Sequence, residues 1–363
     1  MAVSTRERSR FRQPAPAALF ITFLLILPIA LPACDHAPHD DAPAPINPTA
    51  TFGGLGDTPG RFAYPRCIEA DGQTLWVIDK SGRVQQIDAR TGACLALFRM
   101  PEDSSGRPVG LAIAPGRDAS GAWKPRMIYV ADTHYHRIMI FDLPTPAPGA
   151  PEQMLQPVKV VGSYGIGNAQ FYFPTDVAVL PTPDGSAAHR IYVPEYGGND
   201  RISVFDGDMN FLFAFGTLGP GHDPALVEFS RPQAVQIWNR PDGSKELVVL
   251  DLGNHRLGRF TLEGRLIAWI GKPGGSASGM GDALGEFNLP QGLRILNDST
   301  ALVTEFGACR VQLVDLATGR GLRAWGRPGR GEGELANPWD SAVIGKDVFV
   351  LDSGNNRIVR FRR

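Results

Sequence analysis

Residues 246–264 read ELVVLDLGNHRLGRFTLEG, and this stretch decides the architecture. A short apolar run, Leu247 to Leu250, ends in Asp251. A four-residue turn follows, and Arg256 opens a second short strand-like run that closes on Glu263-Gly264. Two runs of strand length on either side of a Gly- and Asn-bearing turn describe a hairpin, since neither run is long enough for a helix. The arrangement returns as MIYVADTHYHRIMIFD at 127–142 and as DVFVLDSGNNRIVRF at 347–361.

Working outward, each hairpin belongs to a longer module that starts at a proline and ends on an aromatic or apolar residue and Gly. The opening prolines are Pro65, Pro108, Pro174, Pro232, Pro290 and Pro338. The acids are Asp79, Asp132, Glu195, Asp251, Glu305 and Asp352; the arginines are Arg83, Arg137, Arg201, Arg256, Arg310 and Arg357. Acid and arginine are five residues apart in four modules, four in the first and six in the third. Closing strands include LFAFG, IAWIG and RAWG, and Gly-rich connections such as GRPGRGEGELANP lead to the next proline. Four short alternating strands per module cannot bury both faces of their own sheet, whereas six such sheets stacked about an axis can. The expected fold is therefore all-β, a six-bladed β-propeller of four-stranded blades. The last module stops after its third strand, RIVRFRR, while residues 49–53 (TATFG) form an unmatched fourth strand ahead of the first proline. Pairing the two closes the ring and removes an exposed edge.

The modules resemble NHL repeats over nearly all of the chain after the N-terminal segment. Asn254-His255-Arg256-Leu257 and Asn355-Asn356-Arg357-Ile358 carry the resemblance most closely. It implies that the first strand of each blade lines a central channel and that the strand starts face its mouth. It does not by itself imply an activity.

The chain divides at 1–33, 34–48 and 49–363. Arg6, Arg8, Arg10 and Arg12 precede an apolar run from Ala17 to Ala33, the pattern of an export signal, with a retained membrane anchor as the alternative. Leu31-Pro32-Ala33-Cys34 resembles the bacterial lipobox, in which the cysteine is acylated, although Pro32 is unusual at its position. The resemblance implies an anchor at Cys34, a place in the bacterial cell envelope facing periplasm or exterior, and, from Asp35, retention at the inner membrane. Residues 35–48, DHAPHDDAPAPINP, are too polar and Pro-rich to build a core. They read as a stiff tether of about 3 Å per residue. His36 and His39 beside Asp40 and Asp41 read as solvated linker.

Thirty-six basic side chains stand against 37 acidic ones, which leaves no electrostatic footprint for nucleic acid. Cys67, Cys94 and Cys309 are an odd number and read as small buried apolar residues. Lys272–Gly281 lacks the GxxxxGK[ST] spacing of a phosphate loop. Asp206–Asn210 echoes the start of a calcium loop but falls where a hairpin turn is needed.

Residues that recur in every blade are explained by the fold. The acid and arginine fix a turn or bridge blades, and His136 and His255, just before the arginine, are turn residues. Function belongs where blades differ. The residues after the opening prolines are Arg66, Val109, Thr175, Gln233, Gln291 and Trp339. Nearby turns add Tyr135, Glu195, Tyr196, Glu305 and Phe306. Aromatic rings beside hydrogen-bonding groups suit recognition of a protein, peptide or glycan. The expectation is a monomeric propeller that acts as a binding scaffold without a cofactor, calcium being the ion such a channel would take. Three Pro-rich insertions, at 114–126, 143–158 and 181–190, read as surface loops that widen a binding face.

The alternative is a metal-assisted hydrolase or lyase at the same face. Peptidyl-α-hydroxyglycine lyases resemble this chain in repeat pattern, but two of their zinc-binding histidines follow the strand-opening proline. None of the six post-proline residues here is His, which disfavours that lyase. In lactonase-like propellers the ion sits on carboxylates and an Asn, for which Asp176, Glu195, Asp340 and Asn199 are the candidates. Strand alternation turns Asp176 and Asp340 away from the post-proline ring.

Overall fold

The computed structural model describes residue 43 and residues 46–363, apart from 103, 105, 150–151, 273–278 and 297–298. The expected export signal, Cys34, most of the expected tether and the centre of the Gly-rich run therefore lie outside the described residues. Among the described residues, no helix is long and apolar enough to cross a membrane.

Among the described residues, six blade sheets with antiparallel cores are joined by one two-stranded parallel sheet, Thr217–Leu218 with Glu228–Phe229, in a connecting loop. Blade 1 is built from Pro65–Asp71, Thr74–Asp79, Arg83–Asp88 and Cys94–Arg99. Blade 2 uses Gly110–Arg117, Trp123–Asp132, Arg137–Asp142 and Lys159–Val161, and blade 3 uses Ala178–Pro181, Ala188–Tyr196, Arg201–Asp206 and Phe211–Phe215. Blade 4 runs from Pro232–Asn239 through Lys245–Asp251 and Arg256–Phe260 to Leu266–Ile270. Blade 5 comprises Pro290–Ile295, Thr300–Glu305, Arg310–Asp315 and Gly321–Trp325. Blade 6 takes Ser341–Ile344, Asp347–Asp352 and Arg357–Arg362 from the C-terminus and its outer strand, Ala50–Gly53, from the N-terminal side. Ala50 faces Arg360 and Gly53 faces Arg357, the closure expected from the unmatched strand. The first strand of each blade touches the next, and that of blade 6 touches blade 1. The chain is a six-bladed β-propeller.

Each of the six contacts between blades has its own apolar cluster, for example Trp238, Val248 and Leu250 of blade 4 against Leu293, Ala301 and Val303 of blade 5. This changes the pattern along the strands. Clean alternation was expected, yet second strands such as Thr300–Glu305 are buried throughout. A central strand with a blade on both faces has no solvent side, so its residues read as a continuous run. Alternation survives only toward the outer strands.

The recurring acid and arginine fix the turn, as expected, and their further contacts go to the loop that enters the same blade. All six pairs are ion pairs, from 2.6 Å for Arg201–Glu195 to 3.0 Å for Arg256–Asp251. In five blades the acid also accepts the backbone N–H two residues before the opening proline, as Asp251 does from Ser230 at 2.7 Å. The arginine donates to carbonyls of the same inter-blade loop, as Arg357 does to Gly331 and Glu334. The pair thus clips the loop to its blade. Blade 2 departs from this. Its preceding connection is short, Asp132 Oδ1 is buried without a partner among the described residues, and Arg137 pairs also with Glu102.

His136, His255 and Asn356 sit in the left-handed region, with φ of 56°, 54° and 56°, which accounts for Asn and His just before the arginine. Their side chains join blades. His255 Nδ1 accepts from the Leu289 N–H, and Asn356 Oδ1 from the Tyr64 N–H. Asp206–Asn210 is a hairpin turn, with Asp206 Oδ1 accepting from the N–H groups of Asp208 and Asn210.

Two expectations need correction. Cys67 and Cys94 are free, but Cys309 is disulfide-bonded and is more than an apolar filler. The insertions at 114–126 and 181–190 lengthen the first hairpins of blades 2 and 3. Hairpin geometry puts them at the end of the channel opposite the opening prolines. The 143–158 segment adds a short fifth strand, Gln153–Met154, to blade 1.

Candidate functional site

The inner strands enclose a channel cavity of about 1070 Å³, and all six post-proline residues line it. Three inner strands begin at the opening proline and the other three two to four residues after it, all at one end of the ring, so Arg66, Val109, Thr175, Gln233, Gln291 and Trp339 form one mouth. Thr175 spans blades 3 and 4, its hydroxyl donating to the Pro232 carbonyl at 2.9 Å. Trp339 sits edge-on to Tyr64 at 5.8 Å and to Phe306 at 6.0 Å. The Arg66 guanidinium lies over Trp339 at 4.8 Å. Burial, with Arg107 and Arg231 nearby, pulls Arg66 down to about 10.

The other expected face residues are placed differently. Glu195 and Glu305 do not line the cavity. Their carboxylates lie inside the blades, held by Arg201 and Arg310, because they are the repeat acids of blades 3 and 5. Burial raises both above the usual carboxylate range. Tyr196 lies beneath Arg231, at 4.8 Å from its guanidinium, and stacks on Phe173. Tyr135 packs instead beneath Arg137 of its own blade.

Below the mouth is a charged tier. Asp340 Oδ2 accepts the Ile68 N–H of blade 1 at 3.1 Å, and Asp176 Oδ2 accepts the Val235 N–H of blade 4 at 3.0 Å. Each carboxylate thus ties its inner strand to the next. In the preceding blades the equivalent residues are Gly110 and Gly292. A Cβ on Gly110 would lie 2.5 Å from the Thr175 carbonyl oxygen, and one on Gly292 2.7 Å from Asp340 Cα, so only glycine permits this approach. Arg294 of blade 5 reaches past blade 6, donating to the Ser341 and Ile68 carbonyls, and pairs with Glu69 of blade 1 at 2.8 Å. Nothing in the repeat announces this link, since the equivalent residue in blade 6 is Ala342.

Burial pushes Asp176 up to about 7 and Asp340 to about 6, with backbone N–H groups opposing in both. A carboxyl raised on folding favours the native state below its unfolded pKa, and that contribution is lost as pH rises through the folded value. Stability should therefore fall between about pH 4 and pH 7 through Asp176. Asp176→Asn, which can still accept from Val235, is expected to raise the melting point at pH 8 by the equivalent of about 1–3 kcal/mol and to flatten the slope. Calorimetry from pH 5 to 8 checks this; an unchanged slope would assign the effect elsewhere.

The channel carboxylates do not converge with Glu195 and Asn199. Asp176 and Asp340 come from opposite blades, and Glu195 is held by Arg201. Among the described residues, no group of three or more His, Cys, Asp or Glu is placed to hold a metal ion.

Several residues at the mouth escaped the sequence reading. Tyr64 and Arg231 immediately precede opening prolines and take positive φ, 54° and 57°, which swings them toward the mouth. His134 lies in the short turn Thr133–Tyr135. It lies close enough to Arg66 and Arg107 to feel their charge, and burial chiefly holds it down near 4.

No family model matches the chain, and none of the curated proteins does. Solved structures resemble it in fold. A catalytically inactive virginiamycin B lyase from Staphylococcus aureus, solved with quinupristin, is 16% identical over 86% of this chain and 84% of that one, with a TM-score of 0.52. Regucalcin from Agrobacterium tumefaciens, described as a calcium-binding protein, is 16% identical over 88% and 95%, also with a TM-score of 0.52. A protein of unknown function from Bacteroides thetaiotaomicron gives 14%, 86%, 76% and 0.54. At these identities the likeness is one of architecture.

Proposed function

We propose that this chain is an exported, lipid-anchored propeller of the NHL type that works as a binding scaffold for a protein, peptide or glycan partner. The observation that carries the reading is Arg66, which lies over Trp339 at the channel mouth, is flanked by Tyr64, and has no carboxylate partner among the described residues. A cation held on an aromatic ring with free hydrogen-bonding capacity is a typical anchor for a partner.

The surrounding face favours a protein or peptide. In each loop that leads to an opening proline after the outer strand of blades 6, 2, 3 and 4, one aromatic residue is buried and its bridge partner is exposed. Leu55, Tyr164, Leu218 and Met280 are 74%, 65%, 56% and 45% exposed, opposite the buried Phe62, Phe171, Phe229 and Phe287. Four apolar side chains at equivalent places on one face favour contact with a partner that buries apolar area. Arg66→Gln combined with Trp339→Ala should reduce partner capture from native membranes at least tenfold. Full capture by a folded double variant would remove the site from this mouth.

Acylation at Cys34 would supply the anchor. A thioether-linked lipid on Cys34 and a disulfide on the same sulfur exclude each other, so the acylated form would leave Cys309 without a partner among the four cysteines, Cys67 and Cys94 being free. The mass of detergent-extracted protein, with and without reductant, should show a diacylglyceryl addition on a chain beginning at Cys34. A chain that retains residues 1–33 would instead mean a membrane-anchoring segment.

A further inference from the structure

The mouth carries more positive charge than its surroundings balance. Arg66, Lys80, Arg107 and Arg231 lie close enough for Arg66 and Lys80 each to register the repulsion of neighbouring cations. None of the four has a carboxylate partner among the described residues, in a protein whose repeat arginines are all paired. Among the described residues, Arg231 Nε donates only to Gln233 Oε1, at 3.3 Å.

A second, independent observation concerns donors. Arg66 Nε and Gln291 Nε2 are buried and have no acceptor among the described residues. Leaving a buried donor unsatisfied costs its full desolvation penalty, and such groups are rare in folded proteins. Both belong to the post-proline ring, in blades 1 and 5, and Trp339 of blade 6 stands between them. Two orphaned donors on either side of an aromatic wall, under a positive field, call for a planar, anionic acceptor with an apolar neighbour.

We propose that this mouth seats a carboxylate whose adjoining group is aromatic or apolar, the carboxylate accepting from Arg66 and Gln291 while the apolar group packs on Trp339, Tyr64 and Phe306. This rests on the reading of the mouth as the partner site and names the chemistry that docks there. Arg suits a carboxylate because its fork matches two oxygens. A peptide C-terminus ending in an apolar residue and a small aryl acid share this chemistry.

The test is calorimetric titration of the propeller with four probes: a pentapeptide ending in phenylalanine with a free C-terminus, the same peptide amidated, 3-phenylpropanoate, and inorganic phosphate. The free peptide should bind at least tenfold more tightly than the amide and weaken several-fold between 0.05 and 0.5 M salt, on the order expected for screened charges. Arg66→Gln should erase the preference with little change in the melting point, because Arg66 has no ion pair among the described residues to lose, and the loss of its stacking on Trp339 is offset by removal of a charge that burial disfavours. Binding of 3-phenylpropanoate without the peptide would support the carboxylate and assign a small-molecule source. Equal binding of acid and amide would overturn the carboxylate while leaving the mouth as the partner site. Tighter binding of phosphate than of either acid, binding of no probe, or an undiminished preference in Arg66→Gln would each overturn it too. Failure of the scaffold reading is separate and appears as full partner capture by the Arg66/Trp339 double variant.

Discussion

A chain lacking residues 49–53 should lose its single cooperative melting transition or melt at least 10 °C lower, and should aggregate on heating. These residues are the outer strand of blade 6, paired with Arg357–Arg362 in register from Ala50↔Arg360 to Gly53↔Arg357. The contact is more than a ladder. Thr49 N–H donates to the Arg360 carbonyl at 2.7 Å, Arg360 Nε donates to the Thr49 hydroxyl, and Phe52 packs into the cluster between blades 6 and 1. Lost ladder bonds at about 0.5–1.5 kcal/mol each, with the loss of Phe52 burial, amount to roughly 5 kcal/mol, a large share of a typical domain's stability of about 5–15 kcal/mol. The deletion also bares the edge of strand 357–362, which invites pairing with another chain. Differential scanning calorimetry of the deletion decides the matter. A circular permutant that carries residues 46–53 after Arg363 through a short linker should recover the transition, because the strand is needed in place and not in sequence order. An unchanged melting point in the deletion would mean that the ring holds without its clasp.

The clasp was legible because it is a mismatch in a repeat: the last module lacks a strand and the first residues supply one. The acids, arginines and prolines were legible for the same reason, since each recurs at a fixed place along the chain. What was not legible depends on neighbours across the ring. Arg294 reaches Glu69 two blades away, and no along-chain period relates them. Tyr64 and Arg231 reach the mouth because their backbones turn left-handed before a proline, which residue type did not signal at either position. Glu195 and Glu305 show the reverse error. Along the chain they are both repeat acids and neighbours of the mouth, and a carboxylate clipped by an arginine and a backbone N–H is not free for a ligand. The post-proline ring was legible because it needs only the start of each inner strand, and a propeller gathers those starts at one end of its axis.

The clip itself should be the most costly single site to break. In blade 4, Asp251 is fully buried and accepts from Ser230 N–H, Asn254 Nδ2 and Arg256 Nε. Arg256 continues to the Gly221 and Glu228 carbonyls and lies 3.5 Å from the centre of Trp269. Burial nevertheless lifts Asp251 to about 6, so desolvation outweighs the attraction of Arg256 and the pair adds little net stability at neutral pH. Breaking it is another matter. Asp251→Ala leaves a buried guanidinium without its counter-charge and a buried N–H without its acceptor, and should cost about 3–5 kcal/mol. Replacing both partners, Asp251→Leu with Arg256→Met, should cost less than the single change, because the stranded charge is gone and only the backbone donor and the loop carbonyls remain unsatisfied, at about 1–3 kcal/mol for the donor. Urea unfolding of the wild type, the two single variants and the double variant measures this directly. A double variant less stable than Asp251→Ala would mean that Arg256 holds the loop by its carbonyl contacts alone. In blade 2, Asp132→Ala should cost less than Asp251→Ala, because Arg137 retains Glu102 at 2.9 Å and no loop N–H loses an acceptor. The ranking of the two blades thus separates the loop-clipping part of the pair from its ionic part.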